Sequence, residues 1–175
     1  MKRTNDKEER FLSVTDQYKE VIAKVCMLYS SSAATFEDLY QDVLANLWIG
    51  LDSFRGEAKM STWIYRTAIN TCITSYRTSN RHSPAASQSI ESLLAEPSDT
   101  ADAQEMAEQL AELNRLISYL GPVDKALITL WLDEKPYAEI SQIMGISPSN
   151  VAVRLHRIKE KLSDIAEKES ERETR

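Results

Sequence analysis

The sequence predicts an all-α protein of two small helical domains, and three observations carry that reading. Only four glycines occur in 175 residues, while Ala, Leu, Glu and Lys recur throughout, so helix is the favoured backbone state. Apolar residues return at spacings of three and four over long stretches, which is the period of one helix face. No segment alternates β-branched and polar residues between turn signals, so no strand is expected. An apolar fraction of 42% suffices for packed cores, and the length suits one ordinary domain or two small ones.

Helical periodicity begins at Tyr18, Val21, Ile22, Val25 and Cys26 and continues to Leu28 and Tyr29, where Ser30-Ser31-Ser32 breaks it. Thr35 has the character of an N-cap, with Asp38 three residues on as its acidic partner and Glu37 favoured by the helix dipole. The helix it opens spans 36–51, with Leu39, Tyr40, Val43, Leu44, Leu47, Trp48 and Leu51 as its apolar set. Gly56 and its charged neighbours form a loop, and Ser61 is read as the cap of a helix over 62–77.

From residue 78 to 104 the periodicity disappears. Ser, Asn, Ala, Pro, Asp and Glu dominate, Pro84 and Pro97 lie inside, and Ile90, Leu93 and Leu94 offer a short contact at most. Helix resumes over 107–120, with Leu110, Leu113, Leu116 and Ile117 on one side. Gly121-Pro122 ends it, and proline is tolerated in the first turn of the next helix, which Leu127, Leu130 and Trp131 line. Lys135-Pro136 is a break, followed by a helix from Tyr137 to Met144, the turn Gly145-Ile146-Ser147, and a last helix from Pro148 or Ser149 to about residue 165. The charged end, 167–175, is expected to fray. The organisation is thus a first domain over 1–80, a linker over 81–105, a second domain over 106–167 and a charged tail over 168–175.

Several function classes fall away. Met1-Lys2-Arg3-Thr4 is not followed by the apolar core of a signal peptide, and no apolar stretch approaches the length of a membrane span. A cytoplasmic protein without an integral membrane segment is expected. Cys26 and Cys72 sit among helix-patterned apolar residues and read as small buried hydrophobes in a reducing compartment rather than as a disulfide. Two isolated cysteines and two isolated histidines make no metal site. No acid, base and nucleophile converge either, so no catalytic residue, metal or cofactor is expected.

The formal charge of −6 argues against a nucleic-acid partner until its distribution is considered. Residues 1–83 carry 11 Lys and Arg against 10 Asp and Glu, whereas 84–105 carry five acids and no base. Within 154–161, Arg154, Arg157, Lys159 and Lys161 face Glu160 alone. Bases this local predict poor affinity of the free protein for DNA, and a need for help in reading it.

Two segments carry the functional signal. The first is the short helix, glycine turn and second helix over 137–165, the helix-turn-helix arrangement. Ala138 is small enough for close helix approach, Ile140 and Ile143 face inward, Gly145 takes a positive φ, Ile146 plugs the junction and Ser147 caps. Val151, Leu155 and Ile158 form the buried stripe, which leaves Ser149, Asn150, Ala152, Val153, His156 and Arg157 on other faces, flanked by Arg154 and Lys159. A plain helical hairpin with a solvated basic face satisfies the same pattern. The second segment is Asp38-Leu39-Tyr40-Gln41-Asp42-Val43-Leu44-Ala45-Asn46-Leu47-Trp48, followed by a polar loop over 54–59 and an aromatic-bearing helix. Its polar stripe suits either solvent or a protein partner. Trp63, Tyr65 and Tyr76 suit either a core or, beside Arg66, Asn70 and Arg77, the unstacked bases of a single strand. Periodicity does not choose between them.

The segment from Asp38 to Trp48, followed by 54–77, resembles region 2 of the extracytoplasmic-function sigma factors. In that family an acidic helix ending in Leu-Trp precedes a Phe-Arg-Gly loop and a Ser-Thr-Trp helix. Residues 138–162 are similar to region 4 of the same family, with the Gly-Ile-Ser turn and the run Arg154-Leu155-His156-Arg157. The two blocks occur in family order and cover most of 14–165, leaving no room for a third domain between them, as in the minimal members. The resemblance implies that Asp38, Gln41, Asp42, Leu44 and Leu47 contact the β′ clamp helices of core RNA polymerase. It implies that Trp63, Asn70 and Arg77, with the loop over 54–59, meet the melted minus-ten strand. It places Ser149, Asn150, Ala152, Val153, Arg154, His156 and Arg157 on the minus-thirty-five duplex of promoter DNA, region 4 on the β flap, and the acidic linker near the RNA exit path. An anti-sigma factor is implied as a further partner. Ile69 stands where the family commonly has a base, Thr74 where it has an acid, and Ala152-Val153 where Lys-Ser is frequent. These departures thin the charge expected on both reading surfaces, and an apolar Ala152 or Val153 suits a thymine methyl. The competing expectations are a stand-alone helix-turn-helix regulator, which binds duplex tightly without polymerase, and a helical adaptor that binds only proteins.

Overall fold

A computed structural model describes residues 2–32, 34–79 and 101–173, and every regular element in them is helical. The linker features Pro84, Ile90, Leu93, Leu94 and Pro97 lie outside the described residues. The chain divides into two compact units, Met1–Ser87 and Gln88–Arg175.

The first unit holds α1 (Lys2–Gln17), α2 (Lys19–Tyr29), α3 (Phe36–Gly50), a single 3₁₀ turn (Leu51–Ser53) and α4 (Met60–Ser79). Ile22 and Cys26 from α2, Leu39, Val43 and Leu47 from α3, and Ile64, Ala68 and Cys72 from α4 meet in its core, closed at one end by Leu51. Thr35 caps α3 as expected, its hydroxyl oxygen accepting the Asp38 N–H at 3.2 Å and its hydroxyl proton going to the Asp38 carboxylate at 3.0 Å. Helix α4 begins at Met60, earlier than the cap at Ser61 implied. The Lys59 carbonyl accepts the first intrahelical bond, from Trp63 N–H at 3.1 Å, so Ser61 lies inside the first turn.

Helix α1 is absent from the periodicity because Phe11, Leu12 and Val14 are the apolar residues of its second half and Leu12 stays exposed. Tertiary contacts hold it instead. Phe11 meets the Trp48 ring edge-on at 5.2 Å, and Lys7 lies 4.5 Å above the same ring while pairing with Asp52 at 2.6 Å.

The second unit holds α5 (Ala101–Ser118), α6 (Pro122–Leu132), α7 (Tyr137–Met144) and α8 (Pro148–Glu173). Its core is Ile117 and Leu120, Leu127 and Leu130, Ile140 and Ile143, and Val151, Leu155 and Ile158. Helix α5 starts ahead of residue 107, and Leu110 on it is exposed rather than packed. Helix α8 continues well past 165. Glu169 accepts the Tyr119 hydroxyl at 2.9 Å and pairs with Arg115 at 2.7 Å, so the segment expected to fray is tied back to the end of α5.

Candidate functional site

Three exposed helix faces hold the residues singled out in the sequence. On α3, Asp38, Gln41 and Asp42 are exposed along one stripe with Ala45, and Leu44 is half-buried beside them. Leu47 is 1% exposed and belongs to the core, so the expectation that it touches a partner is corrected. Its apolar character serves packing against α4. The same stripe ends in Ile49, 72% exposed, which the sequence reading passed over. The spacing Asp42, Ala45, Ile49 is the helical signal that marks it.

On α4, Arg66, Asn70, Thr74 and Arg77 form an exposed stripe, and Trp63 stands half-buried at its N-terminal end. The Trp63 ring rests on Phe54, centroids 5.3 Å apart, and against Gly50, where an added Cβ would lie 3.0 Å from Cζ2. Tyr65 is buried, and Tyr76 packs edge-on against Tyr29 at 6.5 Å. Ile69 is buried too, so a base lost at that position is lost from the core side of the helix and not from a reading surface.

Asp42 and Asn70, assigned by resemblance to different partners, line one open groove of about 560 Å³ between α3 and α4, with Asn46, Thr71, Thr74, Ser75 and Thr78. Asn46 bridges its walls by donating to the Thr71 hydroxyl at 3.0 Å. The Thr71 and Thr74 hydroxyl protons go to the carbonyls of Thr67 and Asn70, both at 2.8 Å.

In the second unit the turn between α7 and α8 has the expected chemistry. Gly145 adopts φ 67°, its N–H donates to Ser141 carbonyl at 2.9 Å, and the Ser147 hydroxyl accepts the Asn150 N–H at 3.2 Å. Ala138 is exposed, so close approach of α8 does not depend on it; Ile140 and Ile143 are the residues of α7 buried in the core. With Val151, Leu155 and Ile158 buried, the outward face of α8 presents Ser149, Asn150, Val153, His156 and Arg157, and Ala152 is half-covered at its edge. Arg154 does not join that face. Its guanidinium turns to Asp124 in the first turn of α6, at 3.3 Å. Lys159 lies 3.6 Å above the Trp131 ring, and Lys161 donates to the Tyr119 carbonyl at 3.3 Å. His156 stands 3.4 Å from Glu160.

Two buried groups have shifted proton affinities. The Cys72 thiol is held above the ordinary thiol range by its hydrogen bond with the Cys26 thiol and by burial; both cysteines are free and buried. Burial pushes the Lys125 ammonium below the usual lysine value. Among the described residues no cluster of three or more His, Cys, Asp or Glu side chains could hold a metal ion, and no helix is long and apolar enough to cross a membrane.

The family model for Sigma-70 region 2 matches residues 14–82, and that for Sigma-70, region 4 matches residues 104–162, each inside one compact unit. The chain is similar to the ECF RNA polymerase sigma factor SigW of Bacillus subtilis, with 29% identity over 164 residues that cover 89% of this chain and 88% of the relative. It is also similar to the ECF RNA polymerase sigma-E factor of Escherichia coli strain K12, with 27% identity over 168 residues covering 90% and 86%. Two solved structures share its fold. CnrH in complex with the cytosolic domain of CnrY superposes with a TM-score of 0.62 at 17% identity, covering 91% of this chain and 89% of that one. The sigma factor RpoE in complex with the anti-sigma factor NepR from Bartonella quintana gives 0.67 at 18%, covering 93% and 97%.

Proposed function

Because the chain belongs to the sigma-70 family, as an extracytoplasmic-function sigma factor that directs promoter-specific transcription initiation, we propose the following division of work among its exposed faces. In the first domain, 1–80, the α3 stripe of Asp38, Gln41, Asp42 and Leu44 docks on the β′ clamp helices of core RNA polymerase. Trp63, Asn70 and Arg77 on α4, with the loop over 54–59, take the melted minus-ten strand. In the second domain, 106–167, α8 enters the minus-thirty-five duplex with Ser149, Asn150, Ala152, Val153, His156 and Arg157, while the unit rests on the β flap. The segment over 81–105 connects the two, and the charged residues past 167 continue α8 as far as Glu173.

This is binding work. Strand separation is driven by capture of unstacked bases on aromatic and amide side chains, and no nucleophile, general base or metal enters. The protein acts in the cytoplasm, where polymerase and promoter are. The CnrH and RpoE structures are both complexes with a second protein, and the second partner of RpoE is an anti-sigma factor. A comparable inhibitor is proposed here, since the exposed Ile49 and the docking stripe need cover when polymerase is absent.

The observation that carries the proposal is the pair of region matches, in family order, each on its own compact unit with an exposed polar helix face. The test is transcription from a promoter library with core polymerase, run with and without the purified protein. Specific transcripts are expected only when it is added, and failure to retain core polymerase in a pull-down would sink the proposal. The runner-up, a stand-alone helix-turn-helix regulator, requires tight duplex binding in the absence of polymerase.

A further inference from the structure

We infer that the duplex-reading face of α8 carries a single cation, Arg157, and that Arg154 is held off DNA by Asp124. This refines the reading of α8 proposed above and rests on it.

The geometry begins with the helix period. At about 100° per residue, the buried Val151, Leu155 and Ile158 define one side of α8, and Ser149, Val153, His156, Arg157 and Glu160 fall on the opposite side. Arg154 projects only about 60° from the centre of the buried stripe, and Lys159 and Lys161 about 80° from it on opposite flanks. Each of these three turns to its own domain: Arg154 to Asp124 at 3.3 Å, Lys159 to the face of Trp131 at 3.6 Å, Lys161 to the Tyr119 carbonyl at 3.3 Å. These attachments join α8 to α6 and to the end of α5.

Arg157 is exposed, lies on the outward side, and has no ion-pair partner among the described residues. Beside it the face is neutral or apolar, with Val153 49% exposed near its centre. Glu160 on the same side adds an acid, which His156 faces at 3.4 Å. A surface of this kind recognises base edges and a methyl group with little phosphate grip. Asp124 decides the matter for Arg154, because it offers that guanidinium a carboxylate on the side away from the groove.

Salt dependence of duplex binding reads the number of phosphate contacts directly, at about 0.9 in the log–log slope for each. The full-length protein is titrated onto a labelled random-sequence duplex of about three helical turns, without polymerase and over a salt series starting low. Arg157→Gln is expected to flatten the slope by about 0.9, and Arg154→Gln and Lys159→Gln to leave it unchanged. Asp124→Asn releases Arg154 and is expected to steepen the slope by about 0.9, a gain that the double variant Asp124→Asn/Arg154→Gln loses. Because that gain requires a folded domain, misfolding does not imitate it. Flattening by Arg154→Gln equal to that of Arg157→Gln, or no change in Asp124→Asn, overturns the inference. Neither result depends on polymerase, so a failure here is distinguishable from a failure of core binding.

Discussion

The indole of Trp63 occupies the space that a side chain on Gly50 would need: a Cβ there would stand 3.0 Å from Cζ2. The end of α3, which carries the stripe proposed to dock on polymerase, is thereby in contact with the aromatic residue at the head of the α4 stripe proposed to take the melted strand. Gly50 has ordinary helical angles, φ −79° and ψ −17°, so the glycine is required by the close approach rather than by the backbone.

Gly50→Ala therefore sets a helix-propensity gain of up to about 1 kcal/mol against a crowded ring. Stability is expected to stay within about 1 kcal/mol of the parent, because Trp63 is half-exposed and its ring can move outward. Tryptophan emission should change and promoter opening with core polymerase should slow. Unchanged opening with a displaced ring would remove Trp63 from strand capture.

Leu47 and Ile49 are neighbours in sequence with opposite roles. Leu47→Ala opens a cavity in the core and is expected to cost about 2–5 kcal/mol of stability, read by thermal melting. Ile49→Ala is expected to leave melting within about 0.5 kcal/mol and to weaken retention of core polymerase in a pull-down. If Ile49→Ala binds polymerase as well as the parent, the proposed docking stripe ends before it.

Alkaline pH should act on the two units in opposite directions. Burial lowers the Lys125 value below 10.5, so between that lowered value and 10.5 the unfolded chain holds more protons than the folded one, and stability of the second unit rises with pH. The Cys72 thiol, raised above its ordinary 9.0, stays protonated in the folded state while the unfolded chain ionises, so stability of the first unit falls once pH exceeds 9.0. Hydrogen exchange resolved by residue, followed from neutral to alkaline pH, checks both signs. Lys125→Met should abolish the rise and raise stability at neutral pH; Cys72→Ala should abolish the fall.

Glu169 joins the end of α8 to Tyr119 and Arg115. Glu169→Ala is expected to cost about 1–2 kcal/mol locally and to speed amide exchange beyond residue 165 without altering the turn at Gly145. Exchange at the parental rate would mean that the last turns of α8 are held by something other than this pair.

The helices with an apolar face were legible in the sequence, because three- and four-residue spacing records burial directly. The cap at Thr35, the left-handed Gly145 and the buried Val151, Leu155 and Ile158 all follow from local chemistry. What escaped depends on residues far apart in the chain. Helix α1 is fixed by Phe11 and Lys7 on Trp48 and Asp52, and the extension of α8 by Tyr119 and Arg115 on Glu169. Burial of Leu47 beside the half-buried Leu44 was equally hidden, since periodicity marks both as apolar and cannot say which has α4 behind it. Arg154 reads as a DNA contact until Asp124, thirty positions earlier, is seen beside it.

The inward turn of Arg154, Lys159 and Lys161 has a consequence for how the protein is shared out in a cell. A chromosome presents on the order of 10⁶–10⁹ non-specific sites, and a strongly cationic reader is absorbed by them. With Arg154, Lys159 and Lys161 occupied within the second unit, less of the chain is expected to be absorbed by those sites. Competition between the two proteins proposed to bind it is then expected to weigh more in its partition, so that its output follows the concentration of polymerase not already engaged.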